Sequence, residues 1–242
     1  MDLSVVIPVY NEVENLEALT QQVFEGLNGV IDYHLVIVDD GSSDATQSEL
    51  TRLKAEYPMT VVTHRANAGQ SAAICSGVGA AKADWVATLD GDLQNDPADI
   101  PRLFAAATKA SVPTLVAGNR VNRQDSWVRR ASSRIANRIR QWALADDCPD
   151  TGCSLKVFRR EEFLALPQFD HMHRFLPALF AAQGVQIINL PVNHRAREAG
   201  VSKYGVGNRL WVGIMDMLGV RWLRKRRFSL TVDQHKGGGT GE

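Results

Sequence analysis

The stretch Leu35-Val36-Ile37-Val38-Asp39-Asp40-Gly41-Ser42-Ser43-Asp44 decides the fold. Four apolar residues run together without polar alternation, and the chain then turns polar at once. A strand with one face in water alternates; a strand covered by helices on both faces does not. Comparable β-branched, apolar runs occupy residues 5–10, 60–64 and 85–90, and helical patterns at 13–27, 44–57 and 70–82 separate them. Strands alternating with helices predict βαβ units and a mostly parallel sheet. Asn11, ahead of Glu14, and the Ser42-Ser43-Asp44 cluster are the expected helix N-caps.

Beyond a strand at 115–120 the pattern changes. An Arg-rich helix is expected from about 127 to 145, then a polar loop to 153, a strand at 155–158, a helix near 175–183 and a strand at 185–192. A Gly-rich, basic loop follows at 194–207, with a final helix from 208 to about 226. The tail 229–242 carries Gly237-Gly238-Gly239 and no core pattern, so disorder is expected there. The uncharged stretch 175–193 is nearly long enough to span a bilayer, but Pro177, Gly184, Asn189 and Pro191 divide it into helix and strand.

Composition narrows the function classes. The 27 basic and 27 acidic residues of this 242-residue chain cancel, which argues against a nucleic-acid-binding protein. The cancellation hides a segregation: residues 1–117 hold 6 Lys/Arg against 16 Asp/Glu, residues 118–160 hold 10 against 4, and residues 193–228 hold 9 against 2. Three cysteines, Cys75, Cys148 and Cys153, are an odd number in a long chain and fit packing roles in a reducing compartment. Met1-Asp2-Leu3 lacks the basic start of a signal peptide, so the expected location is cytoplasmic. His171, His173 and His194 read as hydrogen-bonded structure rather than as metal ligands.

Ligands of open α/β sheets bind outside the carboxyl ends of the strands. Here those ends read Pro8-Val9-Tyr10-Asn11-Glu12, Asp39-Asp40-Gly41-Ser42, His64-Arg65-Ala66-Asn67 and Asp90-Gly91-Asp92-Leu93-Gln94. One such acid is often only a helix cap; four polar ends on one rim point to a site. Asp90 and Asp92 flank a glycine directly after a buried strand, an arrangement that lets both face one hard cation which also holds phosphate oxygens. No G-x-G-x-x-G follows the first strand and no Walker sequence occurs, which removes the main support for dinucleotide oxidoreductases and P-loop enzymes.

These segments, with Asn67-Ala68-Gly69-Gln70, Arg129-Arg130-Ala131-Ser132-Ser133-Arg134, Asp150-Thr151-Gly152-Cys153-Ser154-Leu155 and Arg197-Glu198-Ala199-Gly200-Val201-Ser202-Lys203-Tyr204, resemble the family 2 glycosyltransferases of GT-A fold. Within that family they resemble the dolichyl- and polyprenyl-phosphate sugar transferases. The resemblance runs from Leu3 to about Arg226. It implies an α/β, Rossmann-like, mostly parallel sheet flanked by helices, with a C-terminal amphipathic helix. It implies a single domain over 1–228, with a nucleotide-sugar half to about 117 and an acceptor half from about 118.

By the same resemblance, Pro8, Tyr10, Asn11, Glu12 and Asp39 form the donor nucleotide pocket. Asp90, Asp92 and Gln94 hold a divalent cation, Mg²⁺ or Mn²⁺, and the diphosphate. Arg120, Arg129 and Ser133 hold the lipid phosphate, and Arg197, Ser202 and Lys203 close over donor and acceptor phosphates. Asp92, Arg120, Arg129 and Arg197 are the implied catalytic set. The implied reaction is an inverting transfer from a GDP- or UDP-sugar to a polyprenyl phosphate for cell-envelope glycan synthesis. The basic acceptor half suits it, because one cation cannot neutralise two phosphate groups and arginine forks can. Arg123, Arg138 and Arg140 read as a solvated helix face.

Two alternatives remain at this point: transfer to a sugar hydroxyl, and a catalytically inert membrane-associated binding protein of the same fold. Relatives often carry transmembrane helices. In this chain Trp211, Ile214, Met215, Leu218 and Trp222 share one helical stripe before Arg224-Lys225-Arg226-Arg227, so peripheral attachment to the cytoplasmic face of the membrane is expected.

Overall fold

The computed structural model describes residues 1–120, 144, 146–195 and 209–226, with backbone alone for 209–212. The expected Arg-rich helix at 127–145 lies outside the described residues apart from Leu144, as do loop residues 196–207 and the tail.

The strands are β1 (Leu3–Val9), β2 (Tyr33–Asp39), β3 (Met59–Thr63), β4 (Trp85–Thr88), β5 (Thr114–Arg120), β6 (Lys156–Arg159) and β7 (Gln186–Val192). They form one sheet in the order β3-β2-β1-β4-β6-β5-β7. β6 runs antiparallel to β4 and to β5, and the other pairings are parallel. The helices are α1 (Val13–Leu27), α2 (Thr46–Glu56), α3 (Gln70–Ala80), α4 (Ile100–Lys109), α5 (Arg160–Leu164), α6 (Leu176–Ala182) and α7 (Arg209–Arg226).

The unbroken apolar run of β2 is explained by two cores. Leu35 and Ile37 join β1, α1 and α4 side chains on one face of the sheet; Val36 and Val38 join α3, Phe158, Phe163 and Phe180 on the other. All four are at most 2% exposed. α1 is amphipathic for the same reason: Leu16, Leu19, Val23 and Leu27 recur at helical spacing and are fully buried, while its other face carries Glu14, Glu17 and Gln21.

Three local expectations are corrected. The fourth strand ends at Thr88, not Asp90, because its ladder to β1 stops at Val6↔Thr88. Asn11 does not cap α1; Glu12 takes that position without a side-chain bond. Asn11 is instead left-handed (φ 52°), a conformation that asparagine tolerates, and ties the first loop to the second: its N–H donates to Ser42 Oγ (2.9 Å) and its Oδ1 accepts from Ser43 N–H (2.8 Å). α2 starts at Thr46, two residues later than expected, because Asp44 Oδ1 accepts from the Thr46 N–H (2.9 Å) in a turn that precedes the helix.

Candidate active site

The carboxyl ends of β1, β2 and β4 meet on one rim. Asp39, the last residue of β2, is buried, and its Oδ1 accepts from the Ser42 N–H (2.9 Å). Pro8 lies beside the loop after β4: a Cβ added to Gly91 would sit 3.3 Å from the Pro8 carbonyl and 2.8 Å from Val9 Cγ1. Glycine there lets the Asp90-Gly91-Asp92 turn close onto β1. Tyr10 and Glu12 are half-buried, and Glu12 Oε2 accepts from Asn15 Nδ2 (2.6 Å).

The Asp90 environment carries the chemistry. Gln70 Nε2 donates to Asp90 Oδ1 (2.8 Å) from the first position of α3. Burial, and after it the negative charge of Asp92, push the Asp90 carboxyl up to about 6, against a Ser154 hydrogen bond and the positive charges of Lys156 and Arg120. Asp92 Oδ1 accepts from the Gln94 N–H (3.3 Å). Leu93, between them, is held at φ 61°, a strained value for a non-glycine residue and one that tends to mark functional turns. Gln94 Nε2 leans on the Arg195 carbonyl (3.5 Å), and the Arg195 N–H donates to the Gln94 carbonyl (2.9 Å). Arg195 also pairs with Asp96 (2.8 Å) and with Gln22 (2.7 Å). The loop after β4 is thereby fastened to the chain just before residue 196.

Arg120 reaches the same region, but its fork is engaged: Nε and Nη2 each donate to Asp150 at 2.7 Å. Burial works against its charge, and the Asp150 pair outweighs that and holds its pKa above the ordinary value. The structure therefore brings together Pro8, Asp39, Asp90, Asp92, Gln94 and Arg120. Arg129, Ser133, Arg197, Ser202 and Lys203 lie outside the described residues.

Six residues that the motif reading left without a role belong to this rim. Asp40, 3% exposed, accepts four hydrogen bonds: His64 Nδ1 (2.7 Å) and Ala68 N–H (2.9 Å) on Oδ1, Asn67 Nδ2 (3.0 Å) and Gly69 N–H (2.8 Å) on Oδ2. It fixes the loop that leads to Gln70. Gly41, at φ 71°, makes the close packing possible, since a Cβ there would meet the Ala66 backbone at 2.5 Å. Lys156, 2% exposed, donates to the Thr151 and Cys153 carbonyls and lies in the field of Asp90. Its signal in the sequence was a lysine set among the apolar residues Leu155, Val157 and Phe158. The Ser154 hydroxyl lies within hydrogen-bond reach of both Asp90 and Asn95 Oδ1 (2.7 Å) and has one hydrogen to share between them, and Asp150 and Gln70 complete the set.

The histidines are structural. His173 Nδ1 pairs with Ser71 Oγ (2.8 Å), and burial first, then Arg174, Lys156 and His171, lower its pKa to about 3. His171 Nδ1 meets Asp216 Oδ2 (3.1 Å), and His194 forms a β-bridge with Asn95. Cys75, Cys148 and Cys153 are free thiols.

Among the described residues no three His, Cys, Asp or Glu side chains gather as a metal-binding group. Two carboxylates with a carboxamide oxygen nonetheless fit Mg²⁺ or Mn²⁺, which commonly takes one or two protein carboxylates and completes its shell from phosphates and water. Burial, and after it the nearby charge of Asp92, raise the Asp90 carboxyl, and a bound cation would favour its ionised form.

A family model, Glycosyl transferase family 2, matches residues 4–165. The undecaprenyl-phosphate 4-deoxy-4-formamido-L-arabinose transferase of Edwardsiella ictaluri is 39% identical over 208 residues, 84% of this chain and 63% of the relative. The dodecaprenyl-phosphate galacturonate synthase of Rhizobium johnstonii is 35% identical over 231 residues, 93% of this chain and 68% of the relative. The chain thus spans less than two thirds of the first of these proteins. Among solved structures, glucosyl-3-phosphoglycerate synthase from Mycobacterium tuberculosis, in complex with Mn²⁺, UDP-glucose and phosphoglyceric acid, superposes with a TM-score of 0.64 at 19% identity, covering 92% of this chain and 79% of that one. That likeness shows the GT-A fold.

Proposed function

The chain belongs to glycosyl transferase family 2, and from that premise we propose that it transfers a sugar from a nucleotide sugar to a polyprenyl phosphate, with inversion at the anomeric carbon. The observation that carries the reading is the Asp90/Asp92/Gln94 turn beside the buried Lys156 and the half-buried Arg120. Both signs of charge stand at one rim, as a departing diphosphate and its cation require. The polyprenyl-phosphate relatives support the choice of acceptor. In this reading residues 1–228 work as one domain, which the continuous sheet spanning both halves supports.

Asp90, Asp92 and the Gln94 carboxamide oxygen would hold a divalent cation, which when bound offsets charge developing on the leaving diphosphate. Asp39 accepts hydrogen bonds from the nucleoside, with Pro8, Tyr10, Asn11 and Glu12 walling the donor pocket. Gln70 and Ser154 orient the Asp90 carboxylate. Arg129 and Ser133 receive the acceptor phosphate, and Arg197, Ser202 and Lys203 cover the phosphates; Arg120, engaged by Asp150, acts through its field and by shaping that wall.

An acceptor phosphate oxygen attacks the anomeric carbon. The bond to the donor diphosphate breaks, and its electron pair leaves with the nucleoside diphosphate. A phosphate monoester, with a second pKa of about 6, is already an anionic nucleophile at pH 7, so no general base is demanded. The lipid tail of the acceptor places the reaction at a membrane surface, in this reading its cytoplasmic face.

The test is incubation of the purified chain with labelled UDP- and GDP-sugars and a short-chain polyprenyl phosphate. A lipid-linked product that chelator abolishes is expected. Transfer to a glycan hydroxyl in preference to the lipid phosphate would overturn the reading.

A further inference from the structure

Among the described residues, Met1, Val30, Val112, Leu164, Met215, Leu218 and Trp222 are the large hydrophobic side chains that stand exposed. Three of them share α7. Met215, Leu218 and Trp222 are 63%, 53% and 59% exposed and follow one another at steps of three and four, so they form one face of the helix. Ile214, expected on the same stripe, is half-buried, which narrows the exposed face.

The helix cannot roll to hide that face. Val220 is 1% exposed and belongs to the core cluster that α6 supplies, and Met217 packs against the same cluster. Asp216 Oδ2 is held by His171 Nδ1 at 3.1 Å. With its inner side fixed in this way, α7 presents an apolar ridge to its surroundings.

Charge identifies what the ridge fits. Arg221, Arg224, Lys225 and Arg226 crowd the C-terminal end of α7, and the Arg226 guanidinium lies 5.9 Å from the Trp222 ring centroid. The one acid of the helix, Asp216, is turned to His171. The cores of protein interfaces are depleted in lysine, whereas a tryptophan beside a basic cluster suits the boundary between acyl chains and anionic headgroups.

Position along the fold gives the ridge a direction. His171 stands two residues from His173, which bonds to Ser71 in the first turn of α3, next to Gln70 and hence to Asp90. The start of α3 lies at the carboxyl ends of the strands. Met215, adjacent to Asp216, therefore begins the ridge on the same side of the sheet as the rim.

We propose that the Met215/Leu218/Trp222 face of α7, with Arg221, Arg224, Lys225 and Arg226, docks the chain on the surface of an anionic phospholipid bilayer and brings the rim to the headgroup layer. The purpose of this contact rests on the proposed transfer to a lipid phosphate, while its physical grounds do not.

The test is co-sedimentation of the full chain with phosphatidylcholine vesicles and with equal-part phosphatidylcholine–phosphatidylglycerol vesicles, at low and high salt. Stronger binding to the anionic vesicles, weakened by salt, is expected. Leu218→Glu/Trp222→Glu, both at exposed positions and checked by circular dichroism, should weaken partition by about tenfold or more, since two apolar side chains leave the acyl boundary. Arg224→Glu/Lys225→Glu should remove the preference for anionic vesicles and the salt dependence together.

Unchanged binding in Leu218→Glu/Trp222→Glu overturns the proposal, as does concentration-dependent self-association through this face in place of vesicle binding. Transfer to a short-chain acceptor without any vesicle binding would refute the docking and leave the transferase reading intact. Vesicle binding without transfer would do the reverse.

Discussion

Asp40→Asn is the perturbation that most sharply tests how this rim is built. The carboxylate collects four donors while 3% exposed. An asparagine has one acceptor oxygen, so two of the four donors must face an NH₂ group instead. The less costly orientation keeps the oxygen on His64 and Ala68. Asn67 is exposed and can turn to water, but the half-buried Gly69 N–H is left without an acceptor. An orphaned buried donor costs about 1–3 kcal/mol, and replacing charge-assisted bonds by neutral ones costs about another 1 kcal/mol, for a sum of about 2–4 kcal/mol. That is a large share of a typical stability of about 5–15 kcal/mol, yet the variant should remain folded. Urea unfolding followed by circular dichroism measures it. The loop freed by the substitution carries Gln70, so turnover should fall as well, and in a Gln70→Ala background Asp40→Asn should lower turnover little further. A stability loss below about 1 kcal/mol, or fully additive effects on turnover, would refute the reasoning.

Asp92→Ala should reduce transfer by about a hundredfold or more while leaving the unfolding midpoint nearly unchanged, read by product formation with Mg²⁺ or Mn²⁺. Asp150→Ala leaves the Arg120 guanidinium, 14% exposed, without the carboxylate that holds its fork, and should destabilise the chain by about 3–5 kcal/mol in denaturant titration. His173 has a folded-state pKa near 3 against an ordinary 6.5, so its contribution to stability is complete above 6.5 and is lost as pH falls from there toward 3, at about 1.4 kcal/mol per pH unit. His173→Asn should flatten that part of the stability–pH curve, and an unchanged slope would show that another group titrates there.

What the sequence made legible follows from which features are local. The central parallel strands β1, β2 and β4 announced themselves because both faces are covered, leaving nothing polar between Leu35 and Val38. Strand order was not legible: β6 inserts between β4 and β5 in the antiparallel sense, a choice made by pairing Val157 with Ala87 and Val116 across the chain. The rim acids were legible as a group, though not in their division of labour. Asp39 and Asp40 are neighbours, and adjacent residues leaving a strand point to opposite sides. Nothing local to the pair says that Asp40, rather than Asp39, receives the loop from β3, because its four donors come from residues 64–69. Asn11 failed as a cap for a similar reason, since its best partner lies 32 residues away at Ser43.

The rim acids separate by how the protein meets their charge. Asp40 is surrounded by four donors, Asp39 is held by the Ser42 N–H, and Asp150 is matched by the Arg120 fork. Asp90 is met differently. Gln70 and Ser154 supply neutral hydrogen bonds, Lys156 and Arg120 help only through their fields while bonded elsewhere, and burial, then the field of Asp92, oppose ionisation, so the carboxyl is pushed up to about 6. A carboxylate held in place but incompletely compensated is one that an incoming positive charge can satisfy. The same protein dipoles that would be a structural cost without a ligand then become a preformed socket, because no reorganisation is needed when the cation and the diphosphate arrive together. In this argument the strain at Leu93 has a place: its left-handed turn, anchored by a side chain buried in the core, sets the Gln94 N–H on Asp92, and Leu93→Ala, which gives up that burial at the same φ, should destabilise the fold by about 2–5 kcal/mol in urea unfolding.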